Sequence, residues 1–141
     1  MILYCTFEEL TALSAGAERV LAEAGFGVAP VAAPPQIVAD LEALAPRLTG
    51  DLSIATLADQ RSLARAVGFI LADLRARMDS AVLTSTPSDE FAVQAYFEYA
   101  NVLGMEDRLR RIGQQMSALI ELMTGTAPTD ESASIIAFPD E

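Results

Sequence analysis

The chain has no histidine, no lysine and no tryptophan, and one cysteine, Cys5. Without histidine there is no side chain that ordinarily titrates near neutrality. Ser–His and Cys–His nucleophile pairs are therefore excluded, and so are the Glu-x-x-His ligands of the usual di-iron bundle. Only Cys5 and carboxylates remain as metal ligands, so no zinc site is expected. One cysteine forms no internal disulfide, which points to the cytoplasm. No basic-then-apolar leader stands at the N-terminus. The longest wholly apolar run, AVGFILA at 66–72, falls far short of the roughly 18 residues needed to cross a bilayer.

What is present is apolar and acidic. The hydrophobic fraction is 52% over 141 residues, enough for one domain with a real core. The formal net charge is −11, and it concentrates in residues 1–46 and in the tail from Thr126. Such a surface repels phosphate backbones, so direct nucleic-acid binding is not expected. All nine basic residues are arginine. The plainer reading is a coding bias; the sharper one is bidentate pairing with partners that the sequence does not reveal.

Residues 57–83 organise the rest. Leu57, Ala64, Val67, Leu71, Leu74, Met78 and Val82 recur at helical spacing, and Leu63, Ala66 and Ile70 widen that face. The stretch predicts a central helix covered on most sides, capped by a Thr56–Asp59 box. Gly68 within it implies close approach of another backbone. Asp73 with Arg77, and Arg75 with Asp79, are spaced for pairs one turn apart.

Before this helix, Thr6 and Glu9 form a capping box. They start a helix with Leu10, Leu13, Ala17, Val20 and Ala24 on one face, closing at Gly25. The connector GFGVAPVAAPP follows. Pro35 suits the first position of a second helix, with Ile37, Leu41, Leu44 and Leu48 inward and an end or kink before Pro46. After the central helix, Thr86, Pro87 and Asp89 signal another start. From Val102 through Met105, Leu109, Ile112, Met116 and Leu119 to Met123 the spacing of three and four is a heptad seam, usable inside the bundle or between subunits. Gly104 leaves open a break or kink. Gly125 ends the last helix. No repeat of fixed period is visible.

The expected fold is therefore all-α: a single-domain bundle of four to five helices over 1–125, followed by an acidic tail at 126–141. Two short β-prone segments, Ile2–Cys5 and 134–138, stand near the chain ends. Neither is stable alone, so the sequence predicts that they pair with each other, within one chain or across a dimer.

Candidates for chemistry are few. Cys5 has neither histidine nor a nearby basic residue to activate it, and reads as a small buried apolar group. Glu8, Glu9, Glu18, Glu23, Asp89, Glu90 and Glu98 read as solvated charge, several of them complementing helix dipoles. Arg108, Arg110 and Arg111 read as an outer mixed-charge face, or as salt-bridge partners of the acidic first helix. Tyr96, Phe97 and Tyr99 cannot all face one way on a helix, so some project outward as candidates for an interface. Ile135, Ile136 and Phe138 in the tail are the other interface candidates, suited to adding a strand to a neighbouring sheet.

No catalytic residue, metal or cofactor is expected. The function expected is non-catalytic: an adaptor, assembly factor or chaperone-like bundle that contacts a protein partner or further copies of itself, away from membranes. The alternatives are an acidic mimic docking on a basic, nucleic-acid-binding protein, and a pocketed bundle that uses tyrosine, arginine and carboxylates.

Overall fold

The computed structural model describes residues 1–24, 33–84 and 90–140. Among them run α1 (Phe7–Ala24), α2 (Pro35–Leu44), α3 (Leu57–Thr84), α4 (Glu90–Thr124) and α5 (Asp130–Ile135), with β1 (Ile2–Leu3) and β2 (Leu52–Ser53). The predicted helical bundle is present. α3 packs along α4, α1 leans on both, and α2 and α5 cover the remaining flanks of α3.

Each start has a local cause. Thr6 Oγ1 accepts from the Glu9 N–H at 3.1 Å, and Glu9 Oε1 accepts from the Thr6 N–H at 2.9 Å, the reciprocal box predicted for α1. Pro35 occupies the first turn of α2, and Ala45–Arg47 tighten into a 3-10 turn around Pro46. At α3 the box is half made. Thr56 Oγ1 accepts from the Asp59 N–H at 3.1 Å, while the Asp59 carboxylate turns instead to Arg47, at 2.8 and 3.0 Å. α4 runs unbroken through Gly104. Gly125, at φ +76°, closes α4 in the left-handed region open to glycine. Gly25, the Thr86-Pro87-Asp89 start and most of the first connector lie outside the described residues.

The core joins Leu13, Val20, Leu41, Leu44, Ile54, Leu57, Ile70, Leu74, Met105, Leu109, Met116 and Ile120, all fully buried. On α3 the stripe of Leu63, Ala66 and Ile70 is buried, whereas Ala64, Leu71 and Met78 are only partly so. Leu57, Val67 and Leu74 of the predicted main face are buried as well, so the inward face spans both stripes.

Three expectations need correction. The chain ends do not pair as strands. β1 pairs antiparallel with β2, Ile2 opposite Ser53 and Leu3 opposite Leu52. The tail forms α5 because Thr129 and Ser132 make a reciprocal cap with Asp130 and Glu131 in the first turn. Residues 136–140 then run extended beside β2: the Phe138 N–H donates to Ala55 O at 2.7 Å, and Met1 N donates to Pro139 O at 2.8 Å.

Gly68 is exposed, and among the described residues a Cβ there would meet nothing within 4 Å. The close approaches lie elsewhere. A Cβ on Gly16 would sit 2.6 Å from Ile70 Cγ2, and one on Gly113 would sit 2.5 Å from Gln60 Nε2. Gly113 makes room for Gln60, whose buried amide donates to Leu109 O at 2.9 Å.

The charges read as solvated are not all so: Glu9 and Glu98 are buried. Desolvating a carboxylate is costly unless it is paired, and arginines supply the pairs.

Candidate functional site

The arginines first. Arg108 Nη2 donates to both oxygens of Glu9, at 2.7 Å each, tying α4 to α1. Arg65 Nε donates to Asp40 at 3.0 Å and Ser62 Oγ donates to it at 2.8 Å, tying α3 to α2. A third cluster joins three helices. Arg19 on α1 donates to Glu98 on α4 at 3.0 Å and lies 3.6 Å from Asp73 on α3. Arg77 donates to Asp73 at 2.8 Å and also to Glu23 on α1. Asp73 is 0% exposed, and its Oδ1 has no hydrogen-bond partner among the described residues. Two arginines make two-nitrogen forks: Arg47 on Asp59, through Nη1 and Nη2 at 2.8 and 3.0 Å, and Arg65 on Asp40, through Nε and Nη2 at 3.0 and 3.4 Å.

These groups hold helices together and are poorly placed for proton transfer. Burial raises the Glu9 carboxyl, but the hydrogen bonds and charge of Arg108 and the Thr6 N–H outweigh it and hold it below the ordinary range. Asp40 behaves likewise: burial opposes ionisation, while Arg65, Ser62 and Gln36 favour it more strongly. Burial pushes the Cys5 thiol up, and the Glu9 and Asp51 carboxylates push it further, which disfavours the reactive thiolate. Among the described residues, no group of three or more carboxylate or thiol ligands is placed to hold a metal ion, and no helix is long and apolar enough to cross a membrane.

The outer side of α4 is different. Inward it presents Ala95, Val102, Met105 and Leu109. Outward, at spacings of three and four, it presents Val93, Tyr96, Phe97, Ala100 and Leu103, all exposed. Phe97 is 65% exposed and Tyr96 63%. On an ordinary surface helix this side is polar; here α4 carries an apolar stripe on each side. Phe7 of α1, 79% exposed, stands beside the outer stripe. Between them lies a groove of about 200 Å³ lined by Phe7, Ala12, Ala15, Gln94, Phe97 and Asn101. Glu98 also lines this groove, but it is buried and paired with Arg19, so the exposed outward positions from Val93 to Gly104 are uncharged.

The sequence candidates fall into separate places. Tyr96 and Phe97 lie in the outer stripe. Tyr99, half-buried, turns to α3: Arg75 Nη2 donates to its hydroxyl at 2.6 Å, and the guanidinium carbon lies 5.7 Å from the ring centroid. Arg75 hydrogen-bonds Tyr99, while Asp79, the partner that the spacing suggested, acts on it through charge. Ile135 is exposed, whereas Ile136 and Phe138 pack against the core. Phe138 lines a second groove, of about 330 Å³, with Met1, Tyr4, Ile112 and Leu119. The tail candidates are thus not brought together with the aromatic stripe. Sequence reading missed Phe7, Val93, Ala100 and Leu103. The signal available was a second three-and-four spacing through Val93, Tyr96, Ala100 and Leu103, which the stronger inward seam masked.

No protein-family model, no curated protein and no solved structure matches the chain.

Proposed function

We propose that this protein is a non-catalytic interaction module whose work is done by contact, through the outward face of α4. The observation that carries this reading is the exposed stripe of Val93, Tyr96, Phe97, Ala100 and Leu103 on a helix that already buries its other side. Tyrosine and phenylalanine are favoured anchors of interfaces, offering large apolar area with little rotamer freedom to lose. Contiguous exposed apolar area of this kind marks binding surfaces in monomeric proteins. The acidic balance supports a supplementary role in steering encounters and not the contact itself, because Glu9, Glu23, Asp40, Asp59, Asp73, Glu98 and Asp107 are each engaged by arginine.

The test is affinity capture. Wild-type protein immobilised in an extract of its native cells is expected to retain a defined protein set, further copies of itself included. The Tyr96→Asp/Phe97→Asp double variant is expected to lose that set. Retention unchanged in the double variant overturns the assignment to this face. A wild type that retains nothing, not even itself, overturns the contact reading.

A further inference from the structure

Resting on that reading, we propose that the occupant of the outer α4 face is a second copy of this chain, with the two α4 helices parallel across a two-fold axis.

Three observations converge. The first is spacing. Val93 and Ala100 are seven residues apart, as are Tyr96 and Leu103, so the outer stripe has the alternation of a two-stranded coiled-coil seam. Ala100, small and central, allows close approach of an identical helix.

The second is charge. A chain of net charge −11 resists self-association unless the touching surfaces avoid like charges. The outward positions from Val93 to Gly104 do so. The margins of the stripe are charged, and they differ. On the α1 side Glu8 lines the groove with Gln94, Phe97 and Asn101. On the α3 side stands Arg75, exposed and lying over Tyr99, with the exposed Asp79 one turn along the same helix and close enough to act on it. A two-fold axis running along α4 exchanges the two sides, so the Glu8 margin of each copy faces the Arg75 margin of the other. An axis across α4 would set Glu8 against Glu8 and Arg75 against Arg75. Setting Glu8 opposite Arg75, and neither opposite its own copy, favours the parallel arrangement.

The third is area. Aromatic side chains present about 150–250 Å² when fully exposed. Together with Val93, Leu103 and Phe7, the two-thirds-exposed Tyr96 and Phe97 therefore offer on the order of 500 Å² per copy. A standard interface buries about 800 Å² per partner, within reach once the polar margins are added. The dimer belongs at the small end of specific interfaces and is expected to be concentration-dependent.

Sedimentation velocity across a concentration series is expected to show monomer passing to dimer. Tyr96→Asp/Phe97→Asp is expected to weaken the dimer by roughly a hundredfold, as loss of two central anchors does. Its circular dichroism should be unchanged, because both side chains face solvent in the monomer. Geometry is read by crosslinking in a Cys5→Ser background. Val93→Cys and Ala100→Cys are each expected to form a disulfide with the same position of the other copy under mild oxidation. An antiparallel pair brings at most one position to its own symmetry mate, because bonding needs Cα atoms within about 7 Å. A strict monomer at every concentration, or self-crosslinking at one position or neither, overturns the proposal. A monomer that still captures another protein through Tyr96 and Phe97 overturns it while leaving the contact reading standing.

Discussion

Asp73 concentrates the constraints of this molecule in one side chain. It is fully buried, is held by Arg77, and stands near Arg19, which reaches it from another helix. Removing one member of a buried pair strands the others, so Asp73→Asn is expected to lose about 3–5 kcal/mol, read as a lowered urea midpoint. The glycines make a contrasting pair. Gly68→Ala places a methyl on an exposed helix surface, clear of every described residue, and should stabilise by about 0.5–1 kcal/mol. Gly16→Ala gains the same helix propensity but drives a methyl into buried Ile70, 2.6 Å from Cγ2. Overpacking of that kind costs about 1–3 kcal/mol, so this variant should melt lower than wild type. Along the chain the two glycines look alike, and nothing along α1 indicates that Ile70 arrives opposite Gly16.

Glu9 links residue chemistry to pH. Its carboxyl is held below the ordinary range despite burial, through Arg108 and the Thr6 N–H. A depressed folded pKa contributes stability that is complete above the unfolded value of about 4.3 and is lost as pH falls through the folded value. Thermal melts should therefore decline progressively below that range. Glu9→Gln should start from a lower melting temperature at neutral pH and fall less steeply in acid. Parallel slopes for the two proteins would contradict the assignment.

At the scale of the element, α4 is the long helix that sequence left divisible. Gly104 does not break it, and a Cβ there would make ordinary contacts, 3.6 Å from Glu9 Oε2 and 3.7 Å from Arg108 Nη1. Gly104→Ala is expected to stabilise by about 1 kcal/mol, read as a higher melting temperature with the Glu9–Arg108 pair intact. Helix existence, the cap at Thr6, the start at Pro35 and the seam from Val102 were legible, because each is written in spacing or in local backbone chemistry; the seam points inward as far as Met116, and Met123 at its expected end is exposed. The strand partner was not. β1 finds β2 rather than the tail because two-residue strands carry too little side-chain pattern to specify a partner, and Thr129 with Ser132 commits the tail to a helix first. The site was half legible. Tyr96 and Phe97 were visible as surplus aromatics, but Phe7 joins them only once α1 has been laid beside α4.

At the scale of the molecule, the segment after Gly125 packs back on the bundle. Ala133 of α5 is buried, and the Phe138 N–H is bonded to Ala55 O. Removing residues 126–141 is expected to expose the α3 flank and destabilise the whole bundle by several times the cost of a surface change. Hydrogen exchange should show the loss first along β2 and the start of α3. A truncated chain with unaltered protection there would show the segment to be a mere appendage.

The ionic clamp joining α1, α3 and α4 carries a thermal consequence. Charged groups are hydrated less favourably as water warms, so withdrawing Arg19, Asp73, Arg77 and Glu98 from solvent becomes less unfavourable on heating. The fastening between these three helices should therefore tighten, relative to its greasy surroundings, in a hot environment and slacken in a cold one.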